Sequence, residues 1–369
     1  MTIGIVGLGL IGGSFAKAYS DNDEHKVLAY NRSKEVIQAA YNDKAIDGEL
    51  NEGNIKDCDL ILLCLYPQLC IDYLTKMAPY ICKDAMVIDC CGTKELICQS
   101  CYPIAKQYGF TFIGGHPMAG RHFSGYAYST KTMYNGASMV LVPEDLNDTK
   151  SIERAKKLLS PIHFGKFTIC DYDRHDAMIA FTSQMAHVVS NAYVKSPTAK
   201  NHDGFSAGSY KDLTRVAWLN ETMWTELFLE NKKHLIKELD YFITALQEYK
   251  TAMENDAAET LQKLLADGTT ARRKSMESLA NNLRLMIGYK AAGDTTHQSR
   301  CKQVDACLKA LPDRRPGHRR TGGYLRRDET SKHLRDPCRY ISHIYKRYDN
   351  HTHNNHTGYR LEGRYPDKG

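Results

Sequence analysis

The sequence predicts an α/β protein: a doubly wound, mostly parallel sheet over residues 1–150, an all-helical domain over 151–288, and a tail over 289–369. Three observations predict it. Short β-branched runs alternate with helical patterns through the first 145 residues, which argues for a parallel sheet with helices on both faces. Long helical periodicities then take over and run to about residue 287. Beyond 288, Leu, Ile and Val become sparse and no amphipathic period persists.

The first strand, within 2–7, leads directly into Gly7-x-Gly9-x-x-Gly12 and an amphipathic helix. In a dinucleotide site the first glycine permits the tight turn and the second lets the backbone approach the pyrophosphate. The third lets helix and strand pack closely, with the phosphates on the helix N-terminus at Leu10 and Ile11. This placement makes the sheet Rossmann-type. The second strand, 26–31, ends in Asn31-Arg32-Ser33, with no carboxylate there for a ribose 2′-hydroxyl. Arg32 and Ser33 could meet a 2′-phosphate, so the reading leans to NADP over NAD. The alternative leaves Asn31 alone on the ribose.

Further strands are expected at 59–65, 85–90, 110–114 and 138–142, then a helix at 151–160 and a strand at 163–169. Asn220 to Tyr249 reads as one long helix with a single apolar stripe. Two such long helices cannot bury both faces within so small a domain, so the helical half is expected to build a homodimer.

Length and composition bound the function. At roughly 150 residues per domain, 369 residues suggest two domains. No apolar run reaches the eighteen or so residues a membrane span needs. The first residues read as a strand rather than a signal peptide, so a cytoplasmic protein is expected. Of twelve cysteines, nine lie within 58–170, several in strand-like runs, which fits reduced, buried thiols. Cys98-x-x-Cys101 lacks a second pair at zinc-site distance, so no metal is expected. The net charge of +6 is concentrated in residues 291–369, which hold 17 Lys and Arg against nine Asp and Glu. The body is nearly neutral and carries no nucleic-acid footprint. The tail holds Arg pairs at 314–315, 319–320 and 326–327 and seven of the fifteen histidines, including His343, His351, His353 and His356. An RNA-contacting or metal-binding tail is conceivable. A segment without an evolved fold, such as out-of-frame translation, is the plainer reading, and poor order is expected.

Three segments carry the chemistry. Asp89-Cys-Cys-Gly-Thr93-Lys94 ends one strand, and ligands of such sheets bind outside the strands' carboxyl ends, so Thr93 would face the nicotinamide. It could equally cap the next helix. Gly114-Gly-His116-Pro-Met-Ala-Gly120 forms a tight loop that projects His116 into the same crevice as a base. Asp176, Ala180, Ser183 and His187 recur at spacings of 4, 3 and 4, placing them on one helix face. Asp212-Leu-Thr-Arg215 and Trp224 follow; an arginine held by a nearby carboxylate can grip a small anion bidentately. An interhelical ion-pair network is the structural alternative.

Taken together, the Gly7–Ser14 fingerprint, Gly-Thr93-Lys94, Gly-Gly-His116-Pro-Met-Ala-Gly, His175-Asp176…Thr-Ser-Gln-Met-Ala-His187 and Lys211-Asp-Leu-Thr-Arg215…Met-Trp224 resemble the prephenate dehydrogenase family of tyrosine biosynthesis, over about residues 2–280. The resemblance implies oxidative decarboxylation of prephenate to 4-hydroxyphenylpyruvate on a homodimer. By matched position it makes His116 the residue that bonds the substrate's ring hydroxyl and takes its proton. Thr93 would orient that histidine, and Arg215 would bind a substrate carboxylate. His187 and Trp224 would line the substrate pocket, with Asp176 and Asp212 holding the arginine. His122 stands where many members carry Glu, and the tail lacks the βαβ period of an appended regulatory domain. Arogenate, which has an amino group in place of the side-chain keto oxygen, is the alternative substrate. A β-hydroxyacid-type or imine-type dehydrogenase would place a catalytic lysine where this chain offers His187. A non-enzymatic dimer would leave His116, His187 and Arg215 without converging roles.

Overall fold

The computed structural model describes residues 1–290, His122 excepted. The expected tail from residue 291 onward, with its histidine cluster, lies outside the described residues, as does His122.

Eight strands form one sheet: β1 (Thr2–Val6), β2 (Lys26–Tyr30), β3 (Gly48–Glu49), β4 (Leu60–Leu63), β5 (Met86–Asp89), β6 (Thr111–Met118), β7 (Ser138–Val142) and β8 (Lys166–Ile169). Their order is β3-β2-β1-β4-β5-β6-β7-β8, parallel throughout except between β6 and β7. Around them pack α1 (Leu10–Tyr19), α2 (Lys34–Asn42), α3 (Pro67–Met77), α4 (Glu95–Tyr108) and α5 (Thr149–Leu158).

Successive side chains feed opposite faces of the sheet. Ile3, Ile5, Leu60, Leu62, Met86 and Ile88 join Phe15 and Tyr19 of α1 in one core. Val6, Ile61, Leu63 and Val87 join Leu74 of α3 and Ile97 of α4 in the other. Because both faces are covered, the central strands are apolar at nearly every position, Thr2 and Asp89 at strand ends excepted, which is why they read as hydrophobic runs. Cys98 and Cys101 of α4 are free, buried thiols. Burial pushes Cys58 and Cys98 up to about 12, so both stay protonated and inert.

All six expected strands up to 142 form; β3, at two residues, is too short to signal itself. Two boundaries differ from expectation. The sheet runs on to Ile169, because β8 pairs with β7, and so passes the boundary expected at 150. The expected strand 110–114 extends to Met118, because antiparallel β7 offers partners beyond Gly114 and pairs His116 with Val140. Only the first part of β6 pairs with β5, ending at Ile88–Ile113. Residues 114–118 therefore project past the carboxyl end of β5, carrying His116 on a strand rather than a loop.

The helical half begins with α6 (Tyr172–Ile179), passes through a π-helical stretch (Ala180–Gln184) and continues as α7 (Met185–Tyr193). Then come α8 (Gly208–Thr214), α9 (Glu221–Glu230), α10 (Lys232–Glu254) and α11 (Ala258–Lys290). The helix expected over 220–249 breaks at Asn231, which is buried and non-helical. The Asn231 amide donates to the Asp176 carbonyl and to Gln184 Oε1, both at 2.8 Å, which offsets the break. A small core of Ala180, Met185 and Leu235 packs with Val188 and Phe228. Trp218 and Phe205 are each 91% exposed, and Leu229, Ile236, Tyr241 and Ile243 are exposed too. One compact unit spans Met1–Ala245 and a second begins at Leu246. Within the second, the Tyr249 hydroxyl donates to the Leu264 carbonyl at 3.1 Å. Among the described residues no helix is long and apolar enough to cross a membrane.

Candidate active site

The glycine-rich turn meets the demands of a dinucleotide cradle. Gly7 has φ +95°, a conformation that side chains resist, and its N–H donates to the Tyr30 carbonyl at 2.7 Å. A Cβ on Gly12 would lie 1.8 Å from the Gly7 carbonyl oxygen, so only glycine lets α1 pack this close to the turn. At Gly9, which caps α1, a Cβ would meet nothing within 4 Å. Space is therefore left on the face where a pyrophosphate would approach. The first turn of α1, at Leu10 and Ile11, has no side-chain cap and no acidic residue, so its amides are free for phosphate oxygens.

The end of β2 is partly occupied by the protein itself. Asn31 Oδ1 accepts from the Leu8 N–H at 3.0 Å, and its amide donates to the Ser33 carbonyl at 3.2 Å. Asn31 thus ties β2 to the turn, with one N–H and one lone pair left over. Ser33 caps α2, accepting from the Val36 N–H and donating to Glu35 Oε2 at 2.6 Å. Arg32 is exposed.

Past the carboxyl end of β5 lies a buried polar knot. Asp89 accepts from the Gly115 N–H at 3.1 Å and the Cys91 N–H at 2.9 Å, and it pairs with the Lys94 ammonium. Both side chains are fully buried. Burial pulls Lys94 toward neutrality, but the Asp89 carboxylate beside it holds its pKa above the ordinary lysine value. The pair is therefore ionised and compensated.

Beside this knot, His116 Nδ1 lies 3.0 Å from His175 Nε2, and His175 Nδ1 lies 2.7 Å from Asp176 Oδ1. The Asp176 carboxylate also accepts the Lys94 N–H at 2.8 Å and the Glu95 N–H at 2.9 Å, the amides that open α4. Burial, then the neighbouring His175 and Lys94, hold His116 well below the ordinary 6.5. His175 is lowered by burial against the pull of Asp176. Both rings are neutral near pH 7. The expectation that Asp176 holds an arginine does not match the structure, since its oxygens are consumed by α4 and His175. Thr93, expected to orient His116, instead donates its hydroxyl to Glu230 of α9. Glu230 is raised by burial, with Thr93 opposing.

A second cluster lies farther along the helices. His187 Nδ1 is 3.0 Å from the Val216 carbonyl, so Nδ1 carries the proton and Nε2 is presented. Its ring lies 3.9 Å from that of Trp224, centroid to centroid. Burial lowers the His187 pKa; the Val216 carbonyl opposes this, and nearby Arg215 adds to it. Arg215, at the end of α8, is exposed. Among the described residues no ion pair joins it to Asp212 or Asp176, so the expected carboxylate clamp is absent. The π-helical stretch also breaks the spacing that would put Asp176, Ala180, Ser183 and His187 on one face. α9 links the two clusters: Trp224 meets His187, and Glu230, about 9 Å along the helix axis at ~1.5 Å per residue, meets Thr93.

Sequence reasoning gave no role to His175 or Gln184, which entered only as parts of a matched motif, and did not single out Glu230 or Asn231. His175 had a local signal, standing next to Asp176. The others carry none, because their roles rest on the helix break and the π turn.

A nucleotide cradle at the start of a parallel sheet, with a neutral histidine past its carboxyl edge, defines an NAD(P)-dependent dehydrogenase. Comparison with known proteins narrows this. Residues 15–165 match the family model for the prephenate dehydrogenase nucleotide-binding domain, and residues 171–267 match its dimerization domain. The chain belongs to the prephenate dehydrogenase family. It is 28% identical to the prephenate dehydrogenase of Bacillus subtilis over 291 residues, 74% of this chain and 77% of that one. The crystal structure of Synechocystis arogenate dehydrogenase superposes with a TM-score of 0.64 at 26% identity, covering 74% of this chain and all of that one. The A. aeolicus prephenate dehydrogenase, solved with hydroxyphenyl propionate and NAD+, gives 0.62 at 28% identity, covering 74% of this chain and 98% of that one. The protein is an oxidoreductase.

Proposed function

We propose that the chain oxidises and decarboxylates prephenate to 4-hydroxyphenylpyruvate in tyrosine biosynthesis, with NADP preferred over NAD. The observation that carries this reading is a half-buried, neutral His116 held past the carboxyl end of the sheet. A bound nicotinamide would supply the hydride acceptor. His116 takes the proton of the ring hydroxyl as the carbonyl forms, and departure of the carboxylate as CO2 aromatises the ring. Arg215 engages a substrate carboxylate through its planar fork, and His187 and Trp224 wall the ring.

The turn at Gly7, Gly9 and Gly12, with the amides at Leu10 and Ile11, holds the pyrophosphate. Arg32 meets the 2′-phosphate, joined by Ser33 once its hydroxyl turns from Glu35, and Asn31 holds the turn beside them. A homodimer is supported by the matched dimerization domain and by the exposed Trp218, Leu229, Ile236 and Ile243 in residues 171–245. The likeness to an arogenate dehydrogenase keeps arogenate as the second reading. Steady-state assays that follow the near-ultraviolet absorbance of the reduced nicotinamide, with each substrate against each cofactor, test both. Turnover with prephenate and NADP is expected. Turnover of arogenate alone moves the assignment to that substrate, and turnover of neither overturns it.

A further inference from the structure

We propose that His175 and Asp176 are positioning residues that fix the tautomer of His116, leaving its Nε2 as the only basic nitrogen it can offer a substrate. The inference rests on His116 being the base of the proposed reaction, and it follows from donor and acceptor bookkeeping along one chain of contacts.

Both Asp176 oxygens accept backbone N–H groups, from Lys94 and Glu95, and an amide N–H can only donate. Oδ1 is therefore an acceptor, and His175 Nδ1, 2.7 Å away, must be the donor. A neutral imidazole has one N–H. His175 Nε2 is then a lone pair, and the contact 3.0 Å from His116 Nδ1 requires that His116 carry its proton there. Nε2 of His116 remains, unprotonated and aimed away from the chain. Without this constraint an imidazole places its proton mainly on Nε2, the tautomer unable to act as a base at that atom.

Burial and the Lys94 ammonium at the mouth of α4 keep both rings neutral, while Asp176 on α6 and Asp89 of β5, paired with Lys94, pull His175 the other way. During turnover the proton leaving the substrate hydroxyl ends on His116 Nε2. The hydrogens on His116 Nδ1 and His175 Nδ1 stay in place, and Asp176 faces the new imidazolium across one intervening ring. The arrangement resembles in logic a carboxylate orienting a catalytic histidine, extended by one imidazole.

The test uses the full-length chain, with His175→Leu removing the acceptor and His175→Gln restoring an amide oxygen near the Nε2 position. Long-range proton–nitrogen NMR on histidine-labelled protein reads the tautomer, with the His116 signals identified by their loss in His116→Asn. The expected result is a protonated Nδ1 on His116 in the parent and in His175→Gln, and a protonated Nε2 in His175→Leu. kcat should fall about 10–100-fold in His175→Leu with KM changed less than threefold, and His175→Gln should recover most of it. An unchanged tautomer in a folded His175→Leu overturns the proposal. So does kcat within twofold of the parent while His116→Asn is inactive. Because the tautomer is read without turnover, a reversed tautomer together with an active His116→Asn locates the failure in the base assignment instead.

Discussion

The two histidine clusters are built in opposite ways. Around His116 the polar groups are enclosed and partnered: two rings, two carboxylates, an ammonium and the first amides of α4. Around His187 the ring packs at a tilt against Trp224, while Arg215 stands exposed with no ion-pair partner among the described residues. The difference matches the two tasks that the proposed function gives them. A proton acceptor needs one orientation and one charge state, which burial and a closed network provide before substrate arrives. A carboxylate receptor needs an unsatisfied cation, because an arginine already paired would have to break that pair first. On the proposed assignment, the cluster that makes chemistry is finished in the free chain and the cluster that grips is left open.

The comparison can be broken at either end. The largest effect is expected from His116→Asn, which keeps a polar side chain but removes the base. kcat should drop about 10²–10⁴-fold with substrate affinity little changed, in steady-state kinetics. Next, Asp89→Asn should strand the Lys94 charge in the core and cost about 3–5 kcal/mol of stability, measured by denaturant unfolding. Arg215→Ala should leave stability untouched yet weaken substrate binding by about 2–4 kcal/mol, read as KM, with lysine recovering only part. A loss of stability in place of affinity would show that Arg215 is structural.

Two smaller effects sharpen the contrast. His116 and His175 are held below 6.5 in the folded chain, so the unfolded chain binds protons more readily. Stability should therefore be fully present above pH 6.5 and decline as pH falls below it, while kcat/KM holds to lower pH than an ordinary histidine allows. A midpoint independent of pH from 7.5 to 5.5 would contradict the neutral pair. Finally, Arg32→Ala should weaken NADP by roughly tenfold more than NAD. Glu35→Gln, removing the carboxylate beside Ser33, should shift preference further toward NADP; equal changes for both cofactors would remove the end of β2 from the choice.

Much of the sheet was legible because local rules and global fold agree there. The Gly7–Gly12 turn, the apolar strands and the segments that place Thr93 and His116 past the sheet edge all follow from short-range pattern. The partners were not legible. Thr93 meets Glu230 across 137 residues and Asp176 meets the start of α4 across more than 80, and no spacing encodes such contacts. The helical stripe from Asp176 to His187 failed for a different reason: a period of 3.6 assumes an unbroken α-helix, and Ala180–Gln184 is not one. The single helix read over 220–249 failed at Asn231, whose amide gains two bonds by leaving the helix.

That π-helical stretch has a consequence for how the site can change. It accommodates an extra residue between His175–Asp176 on one side and His187 on the other. Because the π turn absorbs that extra residue, deleting one within 180–184 would restore regular winding and leave α7 on nearly its present heading. A deletion within α7 itself has no such slack and would turn everything beyond it by about 100°, one residue's share of a turn. The stretch is thus a point of slack, where the helix can lose a residue and keep His175, Asp176 and His187 aimed as they are.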